Sequence, residues 1–289
     1  MSMRSAALIK GVVVYGILFG WTAWLAFPLY WLVIAAFKPP LAVSAGATYV
    51  PFVDFTPTLK AFNTIFLGGM GSTDPSIPFS NSIIISFGSS FIALIIGAMA
   101  GYGLARFTYK VGQIGNYQIS FFFISQRMFP VAVLAVPILI MFRELNLLDT
   151  QVGMIIAEIG FGTPFVAWIV RDFFASLPKE IEESALIDGC SRLQVLQHIA
   201  FPLGAPGLVA AFILIFIGSW NDYFLALVLT FARSITIPLF IQVQAQYVTG
   251  VTPWANIAVI TLVSILPPVI AGLALQRYIT RGLTFGAVK

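Results

Sequence analysis

The chain has 289 residues, of which 59% are hydrophobic and only 9% are charged, and its formal net charge is +4. Soluble globular proteins are about 45–50% apolar and about 25% charged, so this composition predicts an integral membrane protein. The small, scattered net charge argues against nucleic-acid binding, and the single cysteine, Cys190, excludes an internal disulfide and a cysteine-based metal cluster.

Six apolar segments are long enough to cross a hydrocarbon layer of about 30 Å as helices, which predicts an all-α membrane protein. In chain order they cover residues 12–37, 81–105, 117–142, 153–170, 203–229 and 254–275. The first is too long for the apolar core of a signal peptide, about 7–15 residues, so we expect a retained helix. Residues 38–80 are rich in Pro, Gly, Ser and Thr, which predicts a loop with little core of its own. We find no internal repeat and expect residues 1–289 to form one transmembrane domain.

The distribution of Lys and Arg predicts the orientation in the membrane. With a cytoplasmic N-terminus, most basic residues outside the spans fall on the cytoplasmic side, as the positive-inside rule requires. We therefore expect both termini and residues 176–202 to be cytoplasmic, and residues 38–80 and 231–253 to lie outside.

Three ionisable residues fall within the apolar segments: Arg127 in the third, Glu158 in the fourth and Asp222 in the fifth. Charges inside a membrane are costly and usually face a cavity or another charge. One interpretation is that they pair with one another and hold three spans together. The other is that they line a path for a polar solute, to which nearby aromatic rings could contribute. The candidate path then also includes Trp220, Asn221 and Tyr223.

The segment EIEESALIDGCSRLQVLQHIAFPL, residues 180–203, is charged and amphipathic although apolar spans flank it. Helical spacing of its apolar residues predicts two short helices, joined by a tight turn at Gly189, and Pro202 is expected to end the second. The segment could be an amphipathic linker on the membrane surface. A lipid-surface helix would prefer Lys and Arg, however, whereas an acidic and sharply turned segment suits a groove in a protein partner.

This segment resembles the cytoplasmic loop of ABC importer permeases, whose pattern reads EAA, then Gly, then Ile and Leu-Pro. The resemblance is carried by Glu183, Ser184, Ala185, Asp188, Gly189, Ile199 and Pro202. It departs from the pattern at Ser184, where Ala is usual, and at Phe201, where Leu is usual. Three further segments resemble the third span, the fifth span and the tail of carbohydrate-type permeases of the maltose-system kind. They are SQRMFPVAVLAVPI (125–138), GSWNDYFLAL (218–227) and QRYITRGLTFGAVK (276–289).

The resemblance implies a type I importer permease fold with six transmembrane helices and a two-helix coupling loop at residues 176–202. It implies a transport subunit of the bacterial inner membrane and not an enzyme, carrying a sugar, polyol or sugar derivative by alternating access. The implied partners are a second permease subunit in a heterodimer, two cytoplasmic ATPase subunits and an external solute-binding protein. ATP and Mg would be bound by the ATPase subunits, since this chain has no Gly-Lys dipeptide and hence no P-loop. We expect no cofactor or metal bound by this chain.

Two polar regions outside the predicted spans are assigned partners by position and polarity. Residues 231–253 carry polar side chains outside the membrane, which we expect to contact the binding protein. These side chains are Gln242, Gln244, Gln246 and Tyr247. Residues 276–289 are basic and too polar to span, so they either reach into the ATPase assembly, as the resemblance implies, or form a disordered terminus.

Other functions fit parts of the sequence. A secondary active transporter with an interfacial loop would usually show paired repeats and intramembrane ion sites, and no repeat is found. An ABC importer for a non-carbohydrate polar solute would share the coupling loop. An intramembrane enzyme needs a nucleophile–base pair, and the single histidine, His198, lies in the loop and not in a span.

Overall fold

The computed structural model describes residues 3–39, 42–43, 46, 48–68, 74–246 and 254–284. They belong to two compact units, Met1–Pro75 with Ile241–Ser264 and Ser76–Phe240 with Ile265–Lys289. The helices are α1 (Met3–Ala36), α2 (Lys60–Phe66), α3 (Ser76–Arg106), α4 (Asn116–Ser125), α5 (Val131–Glu144), α6 (Gln151–Ser176), α7 (Lys179–Ile187), α8 (Arg192–Val195), α9 (Phe201–Trp220), α10 (Phe224–Leu229), α11 (Ile237–Gln246) and α12 (Trp254–Thr284). A two-residue antiparallel hairpin, β1 (Lys110–Val111) with β2 (Ile114–Gly115), precedes α4.

Within the described ranges, five helices are long and apolar enough to cross a membrane, and the bent pair α4–α5 provides a sixth if it forms one span. The predicted fold class, an all-α membrane protein, is therefore confirmed.

Two of the predicted spans are broken, each for an identifiable reason. The third was expected to be continuous over residues 117–142, but α4 runs into a 3₁₀ turn and the chain bends by 92° before α5. Pro130 stands at the break, where its ring forces Phe129 into an extended conformation. The fifth was expected over residues 203–229, but α9 ends at Trp220 and α10 begins at Phe224. There the Asp222 carboxylate accepts the N–H groups of the first turn of α10 and caps it.

The coupling loop contains the two predicted short helices, α7 and α8, with Gly189 between them at a φ of +90°. A glycine adopts this left-handed conformation without steric cost. The second helix does not end at Pro202, as the sequence suggested. It continues through a π-turn at Leu196–Ala200 directly into α9. Pro202 lies in the first turn of α9, where its missing N–H costs no hydrogen bond.

The helices α3 and α6 pack together through small residues. A Cβ atom added at Gly97 would lie 2.6 Å from Cβ of Val166, and one added at Gly101 would lie 2.8 Å from the carbonyl oxygen of Ala167. The two backbones thus approach as closely as membrane helices do where glycines recur at four-residue spacing.

We expect Gly101→Ala to lower the stability of the protein by about 1–3 kcal/mol, because the backbone of α6 cannot move aside as a flexible side chain can. Thermal denaturation in detergent measures this. The matched control is Gly88→Ala on the same helix, where the new Cβ would meet Cδ1 of Ile155 at an ordinary 3.4 Å. Equal melting temperatures for the two variants would contradict the prediction.

The segment 38–80 contains α2 and a small core, although little core was expected from its composition. Lys38 is only 1% exposed, and its ammonium group donates to the carbonyl oxygen of Thr48. The ammonium also lies 3.9 Å from the ring centroid of Trp31, a cation–π contact that offsets part of its desolvation. Phe55 and Ile65 are buried nearby in the sequence. This part of the chain is therefore anchored by a buried lysine that hydropathy does not reveal.

Candidate functional site

The coupling loop is joined to the end of α3 by a buried ion pair. The guanidinium of Arg106 donates to Oε1 of Glu182 at 2.7 and 2.9 Å, and the hydroxyl of Tyr102 donates to Oε2 at 2.8 Å. Arg106 also donates to the carbonyl oxygen of Leu177, just before α7. The side chains of Arg106 and Glu182 are 7% and 8% exposed. Buried charges are stable only when paired and hydrogen-bonded, so these contacts hold α7 firmly against α3.

The opposite side of the coupling loop is open. Of the residues predicted for ATPase coupling, Glu183, Ser184, Asp188, Gly189 and Pro202 are exposed, and Ala185 and Ile199 are half-buried. Two apolar side chains share this exposure, Ile187 at 86% and Leu193 at 58%. Outside the membrane, exposed apolar side chains beside a polar rim indicate a contact surface for another protein.

The three predicted intramembrane charges, Arg127, Glu158 and Asp222, line one cavity of about 180 Å³. The structure thus brings together residues from the break before α5, the first half of α6 and the break after α9. The remaining lining is largely small or hydroxylated, with Ser89 and Ser90 contributed by α3. A polar cavity of this kind can take water or the hydroxyl groups of a solute.

No ion pair joins Arg127 to Glu158 or Asp222; the ion pairs in the described parts of the chain are Arg106–Glu182, Arg143–Glu144 and Arg171–Asp172. The guanidinium of Arg127 lies 4.3 Å from the ring centroid of Phe165. Oε1 of Glu158 and Oγ of Ser90 are buried without a hydrogen-bond partner. The cavity therefore presents a cation and unsatisfied acceptors at the same time.

The other predicted path residues lie outside the cavity lining. Trp220 is buried with its ring edge-on to Phe79, at 5.8 Å between centroids. Asn221 is exposed, and its side chain donates to the carbonyl oxygen of Ile217. Tyr223 is half-buried and precedes α10.

At the opposite end of α3 and α6, a second cluster of polar contacts holds the turn at residues 230–235, called here the outer turn. Oδ1 of Asp149 accepts the backbone N–H groups of residues 231–234 at 3.0–3.1 Å, and Oδ2 accepts the N–H of Arg233 a second time. The amide of Asn81 donates to the carbonyl oxygens of Arg233 and Ile235, and Gln151 donates to Asn81. Burial alone would raise the pKa of Asp149, but the four backbone donors outweigh it and lower this pKa to about 2.

The segment predicted to meet the binding protein is partly helical. Gln242 and Gln244 lie on α11, where Gln242 is exposed and Gln244 is half-buried. The side chain of Gln246 and the whole of Tyr247 lie outside the described residues, as do residues 285–289 of the tail.

Sequence reasoning missed Arg106, Glu182, Asn81 and Asp149. Their contacts join residues 70 to 154 positions apart, which no local pattern reveals. The predicted topology could have suggested these contacts. It places Arg106 and Glu182 on one side of the membrane, and Asn81, Asp149 and Arg233 on the other.

Comparisons with known proteins identify the fold and the family. Residues 93–284 match the family model described as "Binding-protein-dependent transport system inner membrane component". The chain is 30% identical over 269 residues to the trehalose/maltose transport system permease protein MalG of Thermococcus litoralis, covering 91% of each chain. It is 34% identical over 263 residues to the trehalose transport system permease protein SugB of Mycobacterium tuberculosis, covering 91% of this chain and 92% of that one.

A solved structure, the crystal structure of a bacterial ABC transporter involved in the import of the acidic polysaccharide alginate, has the same fold. Its TM-score is 0.72 at 23% identity, over 96% of this chain and 99% of that one. The type I importer permease fold and the resemblance to carbohydrate-type permeases are thereby confirmed. The chain belongs to the family of binding-protein-dependent transport system inner membrane components.

Proposed function

We propose that the chain is the permease subunit of an ATP-driven importer for a carbohydrate, and that its coupling loop transmits movements of the ATPase subunits to the spans. The observation that carries the proposal is the two-sided coupling loop. One side is fixed to α3 by Arg106 and Glu182, and the other exposes Glu183, Ile187 and Leu193. A movement of a partner bound to the exposed side would therefore be passed through the loop to α3.

The proposed assembly contains a second permease subunit, two ATPase subunits that hold ATP and Mg, and an external solute-binding protein. In this proposal the assembly lies in the bacterial inner membrane. Both termini of this chain lie in the cytoplasm, and the outer turn faces the binding protein on the other side of the membrane. The grouping of contacts at the two ends of α3 supports this arrangement. Arg106 meets the coupling loop at one end, and Asn81 meets the outer turn at the other.

The solute path is proposed to run past the cavity that Arg127, Glu158 and Asp222 line. Hydroxyl groups of a sugar could donate to the free oxygen of Glu158 and accept from Arg127. The names of the relatives MalG and SugB, which carry trehalose or maltose, support a neutral carbohydrate.

An acidic carbohydrate is a second candidate solute. The observation that favours it is the cation of Arg127, which forms no ion pair with a described acid and could bind a carboxylate, sulfonate or phosphate.

The proposed coupling is tested at Gly189. We expect Gly189→Val to lower ATP-driven uptake about tenfold in a reconstituted complex, because a β-branched side chain at a φ of +90° is strained by about 1–3 kcal/mol. The space around the site is open, so a clash contributes nothing. Uptake into proteoliposomes and the yield of the complex with the ATPase subunits are the measurements.

The matched control is Gly189→Asn, since asparagine tolerates the left-handed conformation and should retain most of the uptake. Equal uptake by the Val and Asn variants at equal yield would refute a role for the turn in coupling. Failure of the wild-type complex to take up any carbohydrate would refute the proposed function itself.

A further inference from the structure

The outer turn combines a fixed backbone with exposed side chains. Asp149 satisfies the N–H groups of residues 231–234 with one carboxylate, and Asn81 satisfies two of the turn's carbonyl groups. The hydroxyl of Ser234 also donates to Asp149, at 3.2 Å. Successive backbone N–H groups that converge in this way form an anion-binding nest, here filled by a side chain of the same chain.

The position of Asp149 is itself held. Its own N–H donates to the carbonyl oxygen of Leu229 at 2.8 Å, and its φ is +54°, a left-handed conformation that aspartate tolerates better than most residues. The carboxylate is therefore tied to both the start and the body of the turn. Its lowered pKa keeps it ionised, and the nest filled, at any pH well above 2.

Two side chains of the same turn, those of Phe231 and Arg233, take no part in this network and are exposed. Phe231 is 64% exposed, and Arg233 is exposed and forms no ion pair with any acid in the described ranges. Isolated surface loops usually combine exposed side chains with a mobile backbone. A rigid turn that presents an aromatic ring and an arginine has the composition of a binding hot spot and loses little entropy when it binds.

We propose that the outer turn is a preformed docking surface for the solute-binding protein, with Phe231 and Arg233 as its contact side chains and Asp149 as the residue that positions them. The inference rests on the proposed function, which supplies the binding protein as the partner on this face. The surface fits a partner that offers an apolar pocket flanked by carboxylates. Asp149 acts through the backbone of the turn and does not touch the partner.

The test uses the complete importer in proteoliposomes and titrates the binding protein while ATPase activity is recorded. Asp149→Ala is expected to raise the half-saturating concentration of binding protein about tenfold, because several backbone residues must then be ordered on binding. The maximal rate should change by less than about twofold, since the coupling loop lies at the other end of α3. Phe231→Ala and Arg233→Ala should raise the same concentration.

Sodium formate provides a second readout. The truncated side chain leaves the nest empty, so formate should refill it and lower the half-saturating concentration of the Asp149→Ala complex, whereas sodium chloride should not. Hydrogen exchange of the amides of residues 231–234 should be slow in the wild type, faster in Asp149→Ala and slow again with formate. The exchange measurement needs only the purified permease complex and remains informative if transport is lost.

Glu144→Ala is the matched control, because Glu144 is an exposed acid five positions away whose ion pair, among the described residues, is with its neighbour Arg143. An unchanged half-saturating concentration in Asp149→Ala, an equal shift in Glu144→Ala, or a shift that formate leaves unaltered would overturn the proposal while the wild-type importer still functions. If the wild-type ATPase does not respond to the binding protein at all, the proposed function fails together with the docking surface.

Discussion

Replacing Arg106 with alanine is expected to lower solute uptake roughly a hundredfold, because it leaves the carboxylate of Glu182 buried without its cation. Removing one partner of a buried pair costs about 3–5 kcal/mol, and each 1.4 kcal/mol corresponds to about a tenfold change in an equilibrium. Under the proposed coupling, the loop of the variant would avoid that cost by leaving α3, and movement of an ATPase subunit would no longer reach the spans. Uptake and complex yield in proteoliposomes measure the effect.

Three comparisons separate this mechanism from general damage. Arg171→Ala breaks a more exposed pair with the adjacent Asp172 and should have little effect. Tyr102→Phe removes only one hydrogen bond to Glu182 and should give an intermediate loss. The double replacement Arg106→Met with Glu182→Leu removes both charges and should recover complex yield. If Arg106→Ala behaves as Arg171→Ala does, the ion pair has no role in coupling.

Replacing Arg127 with glutamine is expected to lower uptake by about ten- to hundredfold, while the complex assembles normally. This size of loss corresponds to the free energy of one hydrogen bond between the solute and a charged group. The reason is that Arg127 lines the cavity beside Glu158 and is not engaged by either intramembrane acid in an ion pair. A cation kept in a membrane without such a partner is costly, which favours a functional role. Arg143→Gln, at an exposed position paired with Glu144, is the control and should be neutral.

Uptake by variants of Arg127 distinguishes an acidic solute from a neutral one. If the solute is acidic, Arg127→Lys should retain more uptake than Arg127→Gln, whereas a neutral sugar should lose affinity in both variants. A role in solute binding would be contradicted if Arg127→Gln gave a low complex yield and the additional replacement Glu158→Gln restored that yield. That outcome would mean that Arg127 and Glu158 stabilise the bundle as a charge pair and do not bind solute.

Hydropathy predicted the existence and order of the spans because a membrane imposes a long apolar segment on every helix that crosses it. It did not predict the break of the third span at Pro130. Pro137, Pro164 and Pro206 also lie within apolar segments, yet each remains inside a helix. Neighbouring helices can satisfy the backbone groups that a proline frees, so proline alone does not determine where a span bends.

The sequence predicted the intramembrane charges better than the contacts of the coupling loop. The family resemblance singled out Glu183, but the structure shows that Glu182, one residue earlier, is the acid bound to α3, while Glu183 is exposed. A helical repeat places adjacent residues about 100° apart, so either acid could face inward until its partner is known. Intramembrane charges were easier, because their cost alone marks Arg127, Glu158 and Asp222, and the structure places all three on one cavity.

The close contact of α3 with α6 has a mechanical consequence. At Gly101 the backbone of α3 meets the backbone of α6 with no side chain between them, and at Gly97 it meets the short side chain of Val166, so little in this contact can absorb a displacement. A helix of 31 residues is about 46 Å long at ~1.5 Å per residue, and α3 is bound to the coupling loop at one end and to the outer turn at the other. We therefore expect the pair to move as one stiff rod, so that a displacement of the coupling loop would also shift the outer turn.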